Sequence, residues 1–185
     1  MVLKAQRVAL FVDSENLEIT VRTNYLVKAG SSATAQTHSI FPDWKTIIPE
    51  IVGDRQLVRT LYYKEKGRPV SHKFRSFWSE EFDGEVRQPP KSVDPYIIVD
   101  AISMCEKVDV IIIFGGDKDY LPLVTYAKSQ GCKVEVASFG PAAAREITKI
   151  ADKFHKLTKQ HTLMLERTER IRSHAHRRRR GRKRS

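Results

Sequence analysis

The stretch DVIIIFGGDKDY, residues 109–120, decides the fold class of this 185-residue chain. Residues 109–114 contain the longest uninterrupted run of large apolar side chains in the sequence, which is typical of a parallel strand buried on both faces. The Gly115-Gly116 pair allows a tight turn after that strand. Asp117 and Asp119 follow directly. The stretch therefore predicts an α/β domain with acidic side chains at the carboxyl edge of its sheet.

Predicted strands and helices alternate on both sides of this stretch. We expect strands at residues 8–12, 56–63, 85–88, 109–114 and 133–137, and helices at 43–52, 69–80, 94–107, 121–129 and 142–157. Such alternation predicts a mainly parallel five-stranded sheet covered by helices on both faces. Residues 24–42 are small, polar and aperiodic in their middle, which predicts a loop inserted into this domain.

The positive charge of the chain is concentrated at one end. Of the net charge of +11, residues 166–185 carry +8, from ten Arg or Lys and two Glu. This divides the chain into a domain over residues 1–165 and a basic tail over 166–185, which we expect to be disordered when free. Such a tail suits contact with nucleic-acid phosphates, although a localisation signal or a solubilising end has the same composition.

The remaining composition indicates a cytoplasmic protein without a membrane partner. No apolar run approaches the roughly 18 residues that a membrane span requires. The first apolar run, residues 8–12, is broken by Asp13, which favours a strand over a signal peptide. Cys105 and Cys132 lack paired or metal-ligand spacing, so they fit buried free thiols in a reducing compartment. Homo-oligomerisation is left open.

Acidic residues recur at the ends of the predicted strands. Asp13 follows the first strand, Asp94 opens the helix after the third, and Asp117 and Asp119 follow the fourth. Since ligands of an open parallel sheet bind outside its carboxyl edge, these four carboxylates should converge and repel one another unless a cation is bound. Mg²⁺ or Mn²⁺ prefers such oxygen ligands, and two such ions about 4 Å apart can promote phosphodiester cleavage.

Each of these acids also has a structural interpretation. Asp117 or Asp119 could cap the following helix, and Asp94 could be a cap followed by Pro95 at the first helical position. Asp100 lies within the apolar stretch YIIVDAI, where an unpaired carboxylate is costly. Because six residues of helix correspond to about 240°, Asp94 and Asp100 do not share a face. Asp94 is therefore the stronger candidate ligand, and Asp100 is a secondary one.

Four segments together resemble the NYN domain family, over about residues 7–157. In RVALFVDSENLEIT a strand ends in Asp and an Asn follows three residues later. KSVDPYIIVDAI is similar to the family's Lys-x-Val-Asp segment. VDVIIIFGGDKDYLPLVTYAKSQGCKVEVASFG resembles its Gly-Asp-x-Asp turn with the helix and strand that follow, and AREITKIADKFHKL resembles its closing helix.

The resemblance implies a three-layer PIN-like fold and RNA cleavage that depends on Mg²⁺ or Mn²⁺. It places the catalytic and metal-binding acids at Asp13, Asp94, Asp117 and Asp119, with Asn16 as a further catalytic residue and Asp100 as a further candidate ligand. Asn16 could alternatively form only local hydrogen bonds in its turn. Pro95 after Asp94, Phe114 before Gly115, and the 24–42 insertion depart from the family pattern. The insertion could cover the site.

Two functions from different classes fit these observations. The leading one is a metal-dependent ribonuclease that hydrolyses RNA phosphodiester bonds, and the alternative is a non-catalytic RNA-binding module. The complete set of acids favours the first. A phosphatase using Asp13 as its nucleophile needs a second Asp where the chain has Glu15, and a Rossmann domain needs a glycine-rich turn after the first strand. Residues 62–64 could touch the substrate or could simply belong to a buried strand.

Overall fold

Six parallel strands form the central sheet of the computed structural model, which describes residues 5–27, 38–140 and 143–166. In spatial order they are β4 (Glu85–Arg87), β3 (Gln56–Tyr63), β1 (Arg7–Asp13), β5 (Val110–Phe114), β6 (Lys133–Phe139) and β7 (Lys153–Leu157). A separate antiparallel pair joins β2 (His38–Pro42) to β8 (Thr162–Glu166). Among the described residues, no helix is long and apolar enough to cross a membrane.

Within the described ranges, six α-helices cover the two faces of the sheet. They are α1 (Ser14–Val21), α2 (Trp44–Val52), α3 (His72–Phe82), α4 (Asp94–Met104), α5 (Leu121–Ser129) and α6 (Arg145–Ile150). A π-helical turn, Arg22–Val27, continues α1, and short 3₁₀ turns precede α5 and β8.

Alternate residues of each central strand face opposite cores. Val8, Leu10 and Val12 of β1 pack with α1, α2 and α3 on one face. Ala9 and Phe11 pack with α4, α5 and α6 on the other. The five residues of β5 are completely buried because this strand lies in the middle of the sheet. The predicted three-layer α/β fold is therefore confirmed, with six strands in its sheet where five were predicted.

The sixth strand lies where the sequence predicted the second half of a helix. The helix predicted over 142–157 is wrong: α6 ends at Ile150, and Ala151 has extended backbone. Residues Lys153–Leu157 then pair with β6 at the sheet edge. Asp152 fixes this junction, because its carboxylate accepts a hydrogen bond from the Val134 N–H at 2.8 Å. Backbone pairing with β6 therefore decides the structure of a segment whose short apolar pattern is ambiguous.

Other boundaries also differ from the sequence-based expectation. Of the predicted 24–42 loop, residues 24–27 belong to the π-helical turn and 38–42 to β2, whose Ile40 is buried against the core. Residues 28–37 lie outside the described chain. Helix α3 begins at His72, after Ser71, whose hydroxyl caps it by accepting from the Phe74 N–H. Pro69 therefore precedes the helix. Of the predicted basic tail, only Glu166 belongs to the described chain, as the last residue of β8, and residues 167–185 lie outside it.

A buried ion cluster connects the sheet to the end of α2. The Glu135 carboxylate of β6 accepts two hydrogen bonds from Arg55, at 2.8 and 3.1 Å, and contacts Nε2 of His155 at 2.7 Å. Burial by itself would raise the pKa of Glu135, but the hydrogen bonds from His155 and Arg55 outweigh it and lower the pKa to about 2.

We predict that Glu135→Gln destabilises the protein at neutral pH by about 2–3 kcal/mol. A carboxylate whose folded pKa lies below its unfolded value of 4.5 stabilises the protein above that value. This stabilisation is lost as the pH falls toward 2. Urea unfolding of the variant should therefore change less with pH over this acidic range than that of the wild type. The exposed Glu106→Gln is the control, and equal acid sensitivity of Glu135→Gln and the wild type would contradict the assignment.

Candidate active site

The strand order places a switch point between β1 and β5. From β1 the sheet continues outward through β3 and β4, and from β5 it continues through β6 and β7. The helices that leave these two strands go to opposite faces, since α1 packs in one core and α5 in the other. This divergence opens a crevice at the carboxyl edge of the sheet, where ligands of such folds bind.

Asp13 is the last residue of β1 and lies at the base of this crevice. Its side chain is only 4% exposed. One carboxylate oxygen, Oδ1, accepts a hydrogen bond from the Asn16 N–H at 3.1 Å, so Asp13 caps α1. The other oxygen, Oδ2, lies 3.0 Å from the hydroxyl of Tyr120. The core strand and the cap together fix the position of this carboxylate.

Asp94 reaches the same hydroxyl from the start of α4. Its Oδ1 lies 2.7 Å from the Tyr120 hydroxyl, and its Oδ2 accepts a hydrogen bond from the Ser92 hydroxyl at 3.0 Å. The two carboxylates therefore meet across a single oxygen atom, although Asp13 and Asp94 are far apart in sequence. The structure thus brings together two of the predicted acids. Pro95 does not turn the Asp94 side chain away from the crevice.

Tyr120 was not predicted as a site residue. It is completely buried, and in the sequence it resembles an ordinary core aromatic residue at the start of a helix. The only sequence signal was its position directly after the GGDKD segment. Its hydroxyl has one proton for two acceptor carboxylates, so Asp13 and Asp94 cannot both receive it.

The close carboxylates and their burial change the pKa values of Asp13 and Tyr120. Burial, followed by the nearby charges of Asp94 and Glu15, raises the pKa of Asp13 to about 6, against the lowering effect of its hydrogen bonds. Burial and the two carboxylates also raise the pKa of Tyr120, which stays protonated. A proton on Asp13, or a cation bound between the carboxylates, would relieve the repulsion.

Asn16 positions the turn that follows β5. Its side-chain oxygen accepts a hydrogen bond from the Gly116 N–H at 3.1 Å. A Cβ atom at Gly115 would lie 3.3 Å from the Asp13 Cβ, and one at Gly116 would lie 2.5 Å from the Ala143 Cα. The turn therefore requires glycine at position 116 and is tightly packed at position 115, and Asn16 acts in the structure as a positioning residue.

The two acids of the GGDKD turn lie nearer to solvent. Asp117 is half-buried, and its Oδ1 accepts a hydrogen bond from the Asp119 N–H at 3.1 Å, which caps the 3₁₀ turn Lys118–Tyr120. Asp119 is exposed. The structural interpretation of Asp117 as a cap therefore holds in this arrangement, and both acids precede Tyr120 on the turn that delivers it.

Asp100 has other partners. Its carboxylate accepts a hydrogen bond from the Tyr63 hydroxyl at 2.5 Å and forms an ion pair with Arg87 of β4. This explains how a carboxylate is accommodated in an apolar helix, since Arg87 neutralises its charge. The structure therefore places Asp100, the secondary candidate ligand, in an ion pair with Arg87.

The acids at the switch point of a three-layer α/β sheet are the arrangement expected of PIN-like nuclease domains. The family model for the NYN domain matches residues 7–158. The chain therefore belongs to the NYN domain family, within the PIN-like nuclease superfamily.

Comparison with solved structures supports the fold. The chain is similar to a protein of unknown function from Vibrio parahaemolyticus, with a TM-score of 0.72 and 20% sequence identity, over 88% of this chain and 99% of that one. A comparison with curated proteins gave no significant match.

The family implies a divalent cation, and the carboxylate oxygens of Asp13 and Asp94 are of the ligand type that such a cation prefers. Both carboxylates face one shared hydroxyl, and the charge of Asp94 contributes to the raised pKa of Asp13. Among the residues that the structure describes, no three His, Cys, Asp or Glu side chains are arranged to hold a metal ion. The remaining ligands would therefore have to come from Asp117, Asp119 or solvent.

We predict that Asp13→Asn becomes more stable relative to the wild type as the pH rises. The folded pKa of Asp13, about 6, lies above its unfolded value of 3.8, so the wild type loses stability as the pH rises between these values. The Asn variant has no such loss. Between about pH 4 and pH 8 in chelator, urea unfolding should shift in favour of the variant by roughly 3 kcal/mol.

The control for this measurement is Asp54→Asn, at an exposed position before β3. Its unfolding should follow the wild type at every pH. A constant difference between Asp13→Asn and the wild type across this range would show that Asp13 is not strained by burial.

Proposed function

We propose that this protein is a metal-dependent ribonuclease that hydrolyses RNA phosphodiester bonds at the Asp13–Asp94 crevice. The observation that supports it most is the meeting of two carboxylates across the Tyr120 hydroxyl at the switch point of the sheet. Two carboxylates placed so closely repel each other, and they suit a cation that binds phosphate. Membership of the NYN family makes a nuclease the expected class.

In this proposal Asp13 and Asp94 hold the cation, and Asp117 and Asp119 complete its ligands from the adjacent turn. Mg²⁺ or Mn²⁺, when bound, supplies positive charge for the phosphate and lowers the pKa of a bound water. Tyr120 orients the two carboxylates, because its hydroxyl contacts both of them and its ring is buried in the core.

The second element of the site is the rigid connection between α1 and the turn after β5. Asn16 links them through its hydrogen bond to Gly116. This holds the backbone before Asp117 at a fixed distance from Asp13, which a ligand set drawn from two strands requires.

The proposed substrate is RNA, with the basic residues of 166–185 contacting its phosphates. Ten Arg or Lys in that segment supply a sequence-independent attraction. We place the protein in the cytoplasm, because Cys105 and Cys132 are buried free thiols that suit a reducing compartment.

A non-catalytic RNA-binding module is the second candidate. It is favoured by the half-buried Asp117, which caps its own turn, and by the lack of a three-ligand metal cluster in the described parts of the chain. Incubation of the full chain with several RNAs, with Mg²⁺ or Mn²⁺ and with or without chelator, separates the two. Chelator-sensitive cleavage supports the nuclease, and binding without cleavage under every condition supports the module.

We predict that Asp94→Asn and Asp117→Asn each lower metal-dependent RNA cleavage by about 100-fold or more, the effect expected when a charged group of a catalytic site is lost. Asn preserves the cap at position 117 and removes the charge that attracts the cation. Single-turnover cleavage rates at saturating metal provide the measurement.

The matched control is again Asp54→Asn, which should cleave at the wild-type rate. Circular dichroism and thermal unfolding establish that the variants fold. A wild-type rate in Asp117→Asn would identify this residue as a cap alone, and a wild-type rate in Asp94→Asn would remove the crevice from the proposed mechanism.

We further predict that deletion of residues 168–185 weakens RNA binding and flattens its salt dependence. Each phosphate contact that is lost removes roughly one counterion from the slope of log affinity against log salt. Affinity titrations of both forms over a range of salt concentrations measure this. Identical slopes for the two forms would exclude phosphate contact by this segment.

A further inference from the structure

A groove lined by aromatic and aliphatic side chains lies on the opposite face of the sheet from the Asp13 carboxylate. We name it the aromatic groove, and its volume is about 530 Å³. It lies between α3, the start of α2 and the β2–β8 pair. Its main lining residues are Trp44, Tyr62, Phe74, Phe77, Leu163 and Leu165.

A charged hydrogen-bond network lies on one side of this groove. The Glu18 carboxylate accepts a hydrogen bond from the Tyr62 hydroxyl at 2.8 Å and is bound by the Lys64 ammonium at 2.7 and 2.8 Å. Three of the roughly four acceptor positions of a carboxylate are thereby used. Glu18 can accept one more hydrogen bond, from a donor that enters the groove.

These features suit a nucleobase better than an apolar protein surface. A base is flat, so it can stack on the half-buried Phe74 or Phe77, and its edge can donate to Glu18. Lys45 also lines the groove, with its ammonium 5.7 Å from the centre of the Phe77 ring and 2.6 Å from the Glu81 carboxylate. Both members of this ion pair are exposed, so the ammonium can exchange Glu81 for a phosphate. Lysines beside aromatic rings are the combination that single-stranded nucleic acids use, with phosphates near the cations and bases on the rings.

The groove is also close to the proposed cleavage site. Tyr62 pairs with Val12 in the parallel register of β1 and β3, so it lies one residue before the level of Asp13. Neighbouring strands are about 4.8 Å apart. Helix α1 starts directly after Asp13 and carries Glu18 to the groove. An RNA strand that crosses the carboxyl edge of the sheet can therefore contact both faces.

We propose that the aromatic groove binds a base of single-stranded RNA, next to the phosphate that lies at the Asp13–Asp94 crevice. This inference takes its substrate class from the proposed function and extends it to single strands, because a paired base cannot enter a groove. The base stacks on the aromatic wall, and its amino or ring N–H group donates to Glu18.

Two neighbouring residues of β8 provide a matched test. Leu165 lines the groove and is 55% exposed, whereas Met164 is 44% exposed and does not line it. Leu165→Glu places a negative charge in the groove, and Met164→Glu places the same charge on the same strand. Both side chains are exposed, so neither change disrupts the core.

The experiment measures binding of a short oligoadenylate to the full chain in chelator, so that no cleavage occurs. Salt at about 0.5 M screens the contacts of the basic segment. Tryptophan fluorescence reports occupancy of the groove, because Trp44 lines it and the second tryptophan, Trp78, packs against Trp44. We expect Leu165→Glu to weaken affinity by about tenfold or more, the loss expected from one stacked base, with Met164→Glu unchanged. Lys45→Glu is a second groove variant with the same expected loss.

Equal affinities for the wild type and both groove variants would overturn the inference. So would a change in oligomeric state, measured by light scattering, with unchanged RNA affinity, because the groove would then be a protein interface. Since the assay needs no metal, its outcome is independent of catalysis. Groove-dependent binding without any cleavage would sink the nuclease proposal alone, and cleavage without groove-dependent binding would sink this inference alone.

Discussion

The parallel pairing of β1 with β5 is the contact on which both the fold and the site depend. Residues Val8–Val12 pair with Val110–Phe114 in register, and these ten residues are completely buried. The hydrophobic effect therefore fixes where the two strands end. Asp13 and Gly115 directly follow the two paired segments and lie side by side at the carboxyl edge of the sheet. The most apolar part of the chain therefore determines the geometry of this polar edge.

The candidate active site lowers the folding stability that this core provides. Asp13 is a buried carboxylate with a raised pKa, and Tyr120 faces two acceptors with one proton. Neither arrangement would arise from packing alone, because a neutral side chain at position 13 would be less costly. The surrounding core holds these groups together despite their repulsion, which is how sites with functional strain persist in folded proteins.

The parts of this structure that could be predicted from sequence are those determined locally. The continuous apolar runs of β1 and β5 identify buried strands, and Asp13 and Asp94 lie near predicted strand ends. The parts that could not be predicted depend on partners elsewhere in the fold. β7 becomes a strand because it pairs with β6, and β2 because it pairs with β8, more than a hundred residues away. The ion pair of Asp100 could not be predicted, because it depends on the position of Arg87 in the fold. Tyr120 resembles a core residue in the sequence, and the structure shows that its hydroxyl contacts two carboxylates.

Because of the position of β8, two weak contacts with RNA could strengthen each other. This strand ends at Glu166 and forms one wall of the aromatic groove, so the arginine-rich segment is covalently attached at the rim of that groove. A phosphate contact made by the segment would keep the same RNA strand within a short tether of the aromatic rings. Two interactions that are individually weak would then combine through a high effective concentration, without any new contact.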